Sequence, residues 1–239
     1  MASHGKKRHL KRLAAPKSLP IPSKGSIYLL KPAAGRHSKQ YAMSALMLVR
    51  DVLKVTRDRR EAKRIFLNGE ILIDGVAVRD EKFPVGLMDL ISIPKLSAFY
   101  RVVLKHNELA IVPVKKEEVA AKLCKITDKR IVKGGRIQLC LHDGRTQLIE
   151  KEEDRFRVGD TVKLSVPKQQ VAGFLKLEKN ARCYVFHGKH SGEVGTLEEI
   201  KERPGSKASD AFLKGEGSHQ IITRKNYLFV VPEEFKVSA

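Results

Sequence analysis

Apolar residues recur at helical spacing in SALMLVRDVLK (44–54), where Ala45, Leu48, Val49, Val52 and Leu53 share a face opposite Arg50, Asp51 and Lys54. A second helix is predicted over 58–67, with Ala62, Ile65 and Phe66 on its apolar side and Asn68-Gly69 as its C-terminal stop. The period then shortens. EILID-G-VAVRD predicts two short strands turning at Asp74-Gly75, and FPVGLMDLISI predicts a third, completing a small unit over 42–94.

Strand patterns dominate the rest of the chain. FYRVVLKHNELAIVPV alternates around His106-Asn107, and GGRIQLCLHDGRTQLIE places Ile137, Leu139 and Leu141 before an Asp143-Gly144 turn, then Thr146 and Leu148. RVGDTVKLSV supplies another strand, while KKEEVAAKLCKI (115–126) fits one helix with Val119, Leu123 and Ile126 inward. In NARCYVFHGKHSGEVGTLEEI a strand over 183–186 is followed by Gly188, Gly192 and Gly195, and a further strand starts at Thr196-Leu197. Glycines there allow a tight reversal and close backbone approach to a ligand.

Charge changes the picture. The net charge is +20 with pI near 10.0, an excess that is self-repulsive unless a polyanion neutralises it. Up to position 64 there are seventeen basic and three acidic residues, so +14 of the +20 lies there, and residues 1–50 hold no Asp or Glu. The Gly-, Pro- and Ser-rich first 40 residues have little to bury, and a segment of this kind is expected to be disordered alone and to lie along phosphates. On the second helix Arg59, Arg60, Lys63 and Arg64 fall within an arc of about 140°, and with Arg57 they form a basic ridge relieved only by Asp58 and Glu61. That pattern favours phosphate contact over an ordinary solvated face. A membrane partner is disfavoured: the best apolar run, at 41–49, is nine residues, about half of what a span needs, and the N-terminus has charge without the apolar core of a secretory signal.

Catalytic and metal signatures are weak. Cys124, Cys140 and Cys183 form no CxxC pair and fit reduced thiols. Cys183, His187 and His190 lack a fourth ligand, and His142-Asp143 sits where turn chemistry explains it better than acid–base catalysis. No phosphate-binding GxxxxGK[ST], GxGxxG or HExxH motif is present.

The run TRDRREAKRIFLNGEILIDGVAVRD followed by VGLMDLI resembles the αL RNA-binding domain, with Gly69, Asp74-Gly75 and Gly86 at the turns. Here Gly86 stands three residues before Asp89 rather than adjacent to an acidic residue, which widens the last turn. The glycine spacing after 183–186 is similar to the KOW motif. Together with GRHSKQYAMSALMLVRDVLK, LCKI, HDGR and ITRKN, these features resemble the S4e family of small-subunit ribosomal proteins over nearly the full chain, in its shorter archaeal form. The resemblance implies an α+β multidomain protein: a basic extended tail (1–41), a small αL RNA-binding domain (42–94), a β-rich central domain (95–170) and a small KOW-type β-barrel with the C-terminus (171–239).

It further implies a cytoplasmic structural component of the small ribosomal subunit. Its partners would be the small-subunit ribosomal RNA and neighbouring ribosomal proteins, with no catalysis, cofactor, metal, membrane or small-molecule substrate. RNA contacts are expected at Lys6, Lys7, Arg8, Lys11 and Arg12 in the tail and at Arg36, His37 and Lys39 at the domain entry. They continue at Arg57, Arg59, Arg60, Lys63 and Arg64 on the ridge, and at Gly188, Lys189, Gly192, Arg224 and Lys225 in the last unit. Two other classes compete: an RNA-modifying enzyme using the αL domain as a targeting arm, and a KOW-bearing transcription or translation factor.

Overall fold

A computed structural model describes residues 9–151, 154–203, 208–215 and 219–237. The described chain is mostly β: three five-stranded antiparallel sheets and two two-stranded ribbons, with few helices. Three apolar cores underlie it.

The first core is built on the predicted helices. Ser44 caps the first through its hydroxyl, which accepts from the Met47 N–H, and Ala45–Met47 runs on into a wider π turn at Leu48–Val52. The second helix, Arg59–Leu67, buries Ala62 and Phe66 against it. The strands Leu72–Ile73 and Val76–Ala77 pair around Asp74-Gly75, as expected. FPVGLMDLISI, expected as one strand, is two: Pro84–Gly86 pairs with Ala42–Ser44, and Leu90–Ile93 pairs with Leu72–Ile73. The widened turn between them, with Met88 at φ 63°, sends the two halves to different sheets.

The expected boundary at 94/95 falls inside a continuous sheet. Leu90–Ile93 pairs with Ala98–Lys105, which forms a hairpin with Glu108–Pro113 through His106 (φ 51°) and Asn107 (φ 63°). Two consecutive left-handed residues match the right-handed twist of paired strands. The segment expected as a helix over 115–126 is instead a 3-10 turn, Lys116–Ala120, and an eleven-residue strand, Ala121–Ile131. Leu123 belongs to the first core while Cys124 and Ile126 belong to the second, so the strand is buried on both faces and helical spacing carried no information there. Its first half pairs with Thr161–Ser165 and its second half with Ile137–Leu141.

The tail is not detached from position 9 onward. Leu10–Lys11 pairs with Tyr28–Leu29, Leu19 enters the first core, and the Leu109 N–H donates to the Ser18 carbonyl at 2.7 Å. The third sheet surrounds the third core, in the order 220–224, 210–215, 194–201, 182–185, 228–230. It is tied to the first unit: Tyr184 is buried there, its hydroxyl accepting from the Leu104 N–H at 2.8 Å and donating to the Leu104 carbonyl, and Val231 and Phe235 join the first core.

Candidate nucleic-acid interface

The ridge forms as the sequence pattern predicts. Arg57, Arg59, Arg60, Lys63 and Arg64 are all exposed, on and just before a helix whose other face is buried. Asp58 occupies the N-cap position without a side-chain cap bond; the Glu61 carboxylate accepts from the Arg57 N–H at 3.1 Å instead. Arg59 is pinned by Glu81, with Nε donating at 3.1 Å. This hydrogen bond holds the Glu81 carboxyl below its ordinary range and raises the guanidinium. Arg57, Arg60, Lys63 and Arg64 have no ion-pair partner among the described residues.

The other expected contacts divide. Lys6, Lys7 and Arg8 lie outside the described residues. Lys11, Lys39, Lys189 and Arg224 are exposed, Arg224 with its guanidinium 5.9 Å from the Tyr227 ring centre, and Lys225 is half-buried. Arg12 is committed internally, donating to the Pro22 and Ser26 carbonyls at 2.6 and 2.8 Å and to the Ser26 hydroxyl at 3.1 Å.

Gly188 and Gly192 lie against the hairpin turn at His106-Asn107. Asn107 donates to the Gly188 carbonyl at 3.0 Å and accepts from the Gly188 N–H at 3.2 Å, while the His106 N–H donates to the Ser191 carbonyl at 2.9 Å. Gly192, at φ 100°, holds a backbone conformation that strains other residues, and an added Cβ would press on the Lys105 Cα at 3.1 Å. The loop thus docks on the hairpin turn of the first unit.

Arg36 and His37, expected at the domain entry, are drawn inward by aspartates. Arg36 Nη1 lies 2.8 Å from the Asp74 carboxylate and its guanidinium 5.2 Å from the Phe83 ring centre; His37 Nε2 lies 2.8 Å from Asp89, with its side chain 3% exposed. Both belong to a buried node centred on Lys122, whose fully buried Nζ meets Asp74 at 2.9 Å, Asp143 at 3.1 Å and Asp89. Arg145 closes the group, pairing with Asp74 and with Asp143. Each aspartate also holds backbone: Asp74 accepts from Leu90, Asp89 from Gly86 and Asp143 from Arg145. The Asp89 bond spans the widened turn. Burial pushes Asp89 and Asp143 up, but Lys122 and its neighbours outweigh it and hold both below the ordinary carboxylate range. Burial likewise disfavours the Lys122 ammonium, and the carboxylates more than restore it.

Sequence reasoning missed this node. A signal was present in KLCKI, where two lysines interrupt an apolar strand. The second, Lys125, donates to the Asn226 carbonyl at 2.7 Å, and burial lowers it to about 8. The turn reading of Asp143 agrees with its bond to the Arg145 N–H. His142 is more than a turn residue: its Nδ1 accepts from the Lys125 N–H at 3.2 Å, and burial lowers it to about 4. Ligand atoms of Cys124, His142 and Asp143 lie within 4.8 Å of one another. They do not fit a divalent ion, because the Lys122 ammonium already lies on Asp143 and burial drives the Cys124 thiol up. Cys183 faces the third core, while His187 bonds Tyr41 at 2.8 Å and His190 bonds Glu193 at 3.0 Å.

Comparison with known proteins gives the same family along the chain. Residues 97–171 match the profile of ribosomal family S4e, and residues 4–40 match the RS4NT domain. Small ribosomal subunit protein eS4 of Methanothermobacter thermautotrophicus is 39% identical over 238 residues, covering 99% of this chain and 97% of that protein. The protein of the same name from Methanocaldococcus jannaschii is 39% identical over 241 residues, covering 98% of each. The crystal structure of 30S ribosomal protein S4e from Thermoplasma acidophilum aligns with TM-score 0.68 at 33% identity, covering 82% of this chain and 98% of that one. With near-complete coverage of both partners at this identity, the chain belongs to the ribosomal family S4e.

Proposed function

We propose that this protein is a structural, non-catalytic constituent of the small ribosomal subunit in the cytoplasm. It binds the subunit's RNA through phosphate and shape contacts and lies among neighbouring ribosomal proteins. The observation that carries the RNA assignment is the helix Arg59–Leu67, with one face in the core and Arg60, Lys63 and Arg64 exposed without ion-pair partners among the described residues. Arg57 extends that surface, and Arg59 joins it while tethered to Glu81. Such contacts position a protein without reading bases, and specificity then comes from RNA shape.

In this reading residues 42–94 act as an αL-type domain, and 171–239 carry a KOW-type loop whose glycines pack on protein, with Lys189 on that loop and Arg224 at the end of the strand Gln220–Arg224 both exposed. Residues 1–41 are the tail and 95–170 the central domain, although the first sheet bridges two of these parts. The names of the eS4 relatives favour an integral subunit component over a modifying enzyme or a transient factor. Gradient sedimentation of a lysate, before and after a wash at about 0.5 M salt, tests this. Retention in the small-subunit peak supports it; release by the wash, or co-sedimentation with polymerase, refutes it.

A further inference from the structure

The ribbon made by Leu10–Lys11 and Tyr28–Leu29 has two unlike faces. Leu10 and Leu29, directly paired, are buried at 4% and 6% exposure. Lys11 and Tyr28, the next pair, point outward, with Tyr28 55% exposed and the His9 ring 5.4 Å from it, tilted by 54°. The three bonds of the Arg12 guanidinium brace the loop between the strands. The outward aromatic is therefore held on a fixed support. No acidic residue occurs anywhere in positions 1–50, so the segment that carries the ribbon suits a polyanionic partner.

We propose that this outer face is a stacking site for an unpaired base of the small-subunit RNA. Tyr28 takes the base, with the His9 ring packed beside it, and Lys11, directly across the ribbon from Tyr28, takes the adjoining phosphate. This rests on the RNA-binding reading above and deepens it: the tail does more than neutralise phosphates, because an aromatic platform captures a splayed nucleotide whatever its identity. Stacking and charge neutralisation leave different signatures. Removing a cation lowers the dependence of affinity on salt, whereas removing a ring lowers affinity at every salt concentration.

The test is binding of purified small-subunit RNA to the full chain over a salt series, with Tyr28→Ala, Tyr28→Phe and a ridge variant (Arg60→Glu, Lys63→Glu, Arg64→Glu), together with ultraviolet cross-linking in assembled subunits. Tyr28→Ala is expected to bind about ten-fold more weakly, the loss of one stacked base, with an unchanged salt slope. Tyr28→Phe should bind like the parent, because the ring and not the hydroxyl is used. A cross-link from Tyr28 to an unpaired nucleotide supports the site independently of any folding defect in the variants. Parental affinity of Tyr28→Ala, or a cross-link from Tyr28 to a neighbouring protein, overturns it. Loss of binding by the ridge variant alone overturns only the stacking site; parental binding by every variant overturns the RNA reading as well.

Discussion

Taking an ammonium out of water costs several kcal/mol unless carboxylates replace the lost solvent, and Lys122 meets three of them in full burial. Lys122→Met would leave Asp74, Asp89 and Asp143 crowded without their central cation. A loss of about 3–5 kcal/mol is expected, the usual result of breaking a buried pair on one side, read as a lower urea midpoint. The pH dependence follows from the same region. His142 ordinarily titrates near 6.5, and burial lowers it to about 4, so between those values the unfolded chain holds a proton that the folded one does not. The His142 contribution to stability should be complete above pH 6.5 and be lost as pH drops towards 4. Asp89 and Asp143, held low in the fold, add a second loss at still lower pH as they take up protons. Urea midpoints measured across this range check both parts. A profile flat between 6.5 and 4 would contradict a neutral buried His142.

At the scale of elements, the ridge helix separates folding from binding. Ala62 and Phe66 do the packing, and Arg57, Arg60, Lys63 and Arg64 are all exposed. Changing these four to Gln should leave far-UV circular dichroism intact and reduce the salt slope of RNA binding by about 3–4 log units per log unit of salt, close to one for each phosphate no longer neutralised. The helix and the hairpins at Asp74-Gly75, His106-Asn107 and Asp143-Gly144 were legible because local rules specify them: one apolar stripe, or a turn pair tolerant of positive φ. Ala121–Ile131 was not legible, since a strand facing two cores loses its alternation. The site was legible to the extent that it is solvent-facing. The ridge cations needed only to avoid the apolar stripe. The inward turn of Arg36 and His37 depended on aspartates 38 and 52 positions away.

At the scale of the whole molecule, the first core takes residues from the tail, the middle strand and the last unit, and polar links reinforce it. The Lys122 node gathers the tail, the first unit and the middle sheet; Tyr184 joins the last sheet to Leu104, and Asn107 holds the Gly188 loop. A single calorimetric transition is therefore expected for the parent. Tyr184→Phe removes both hydroxyl bonds and leaves the Leu104 amide group buried without them, at a cost of about 1–3 kcal/mol. Its transition should broaden or split as the last unit uncouples; an unchanged endotherm would show that the apolar packing of Val231 and Phe235 in the first core suffices.

The sequence by itself determined the basic tail, the two-faced helix, most of the hairpins and the family resemblance, because charge count, helical period and turn chemistry act over a few neighbouring residues. Tertiary structure alone decided which basic residues remain available to a partner. Arg12, Arg36 and His37 are as cationic or polar in the sequence as Lys11 and Lys39, yet the first group bonds inward while the second stays exposed. The same holds for Gly188 and Gly192, whose freedom of backbone serves a protein contact. The physical reason is that a buried carboxylate or an open carbonyl recruits whichever donor the fold brings within about 3 Å, and that proximity is a property of the chain's path through space.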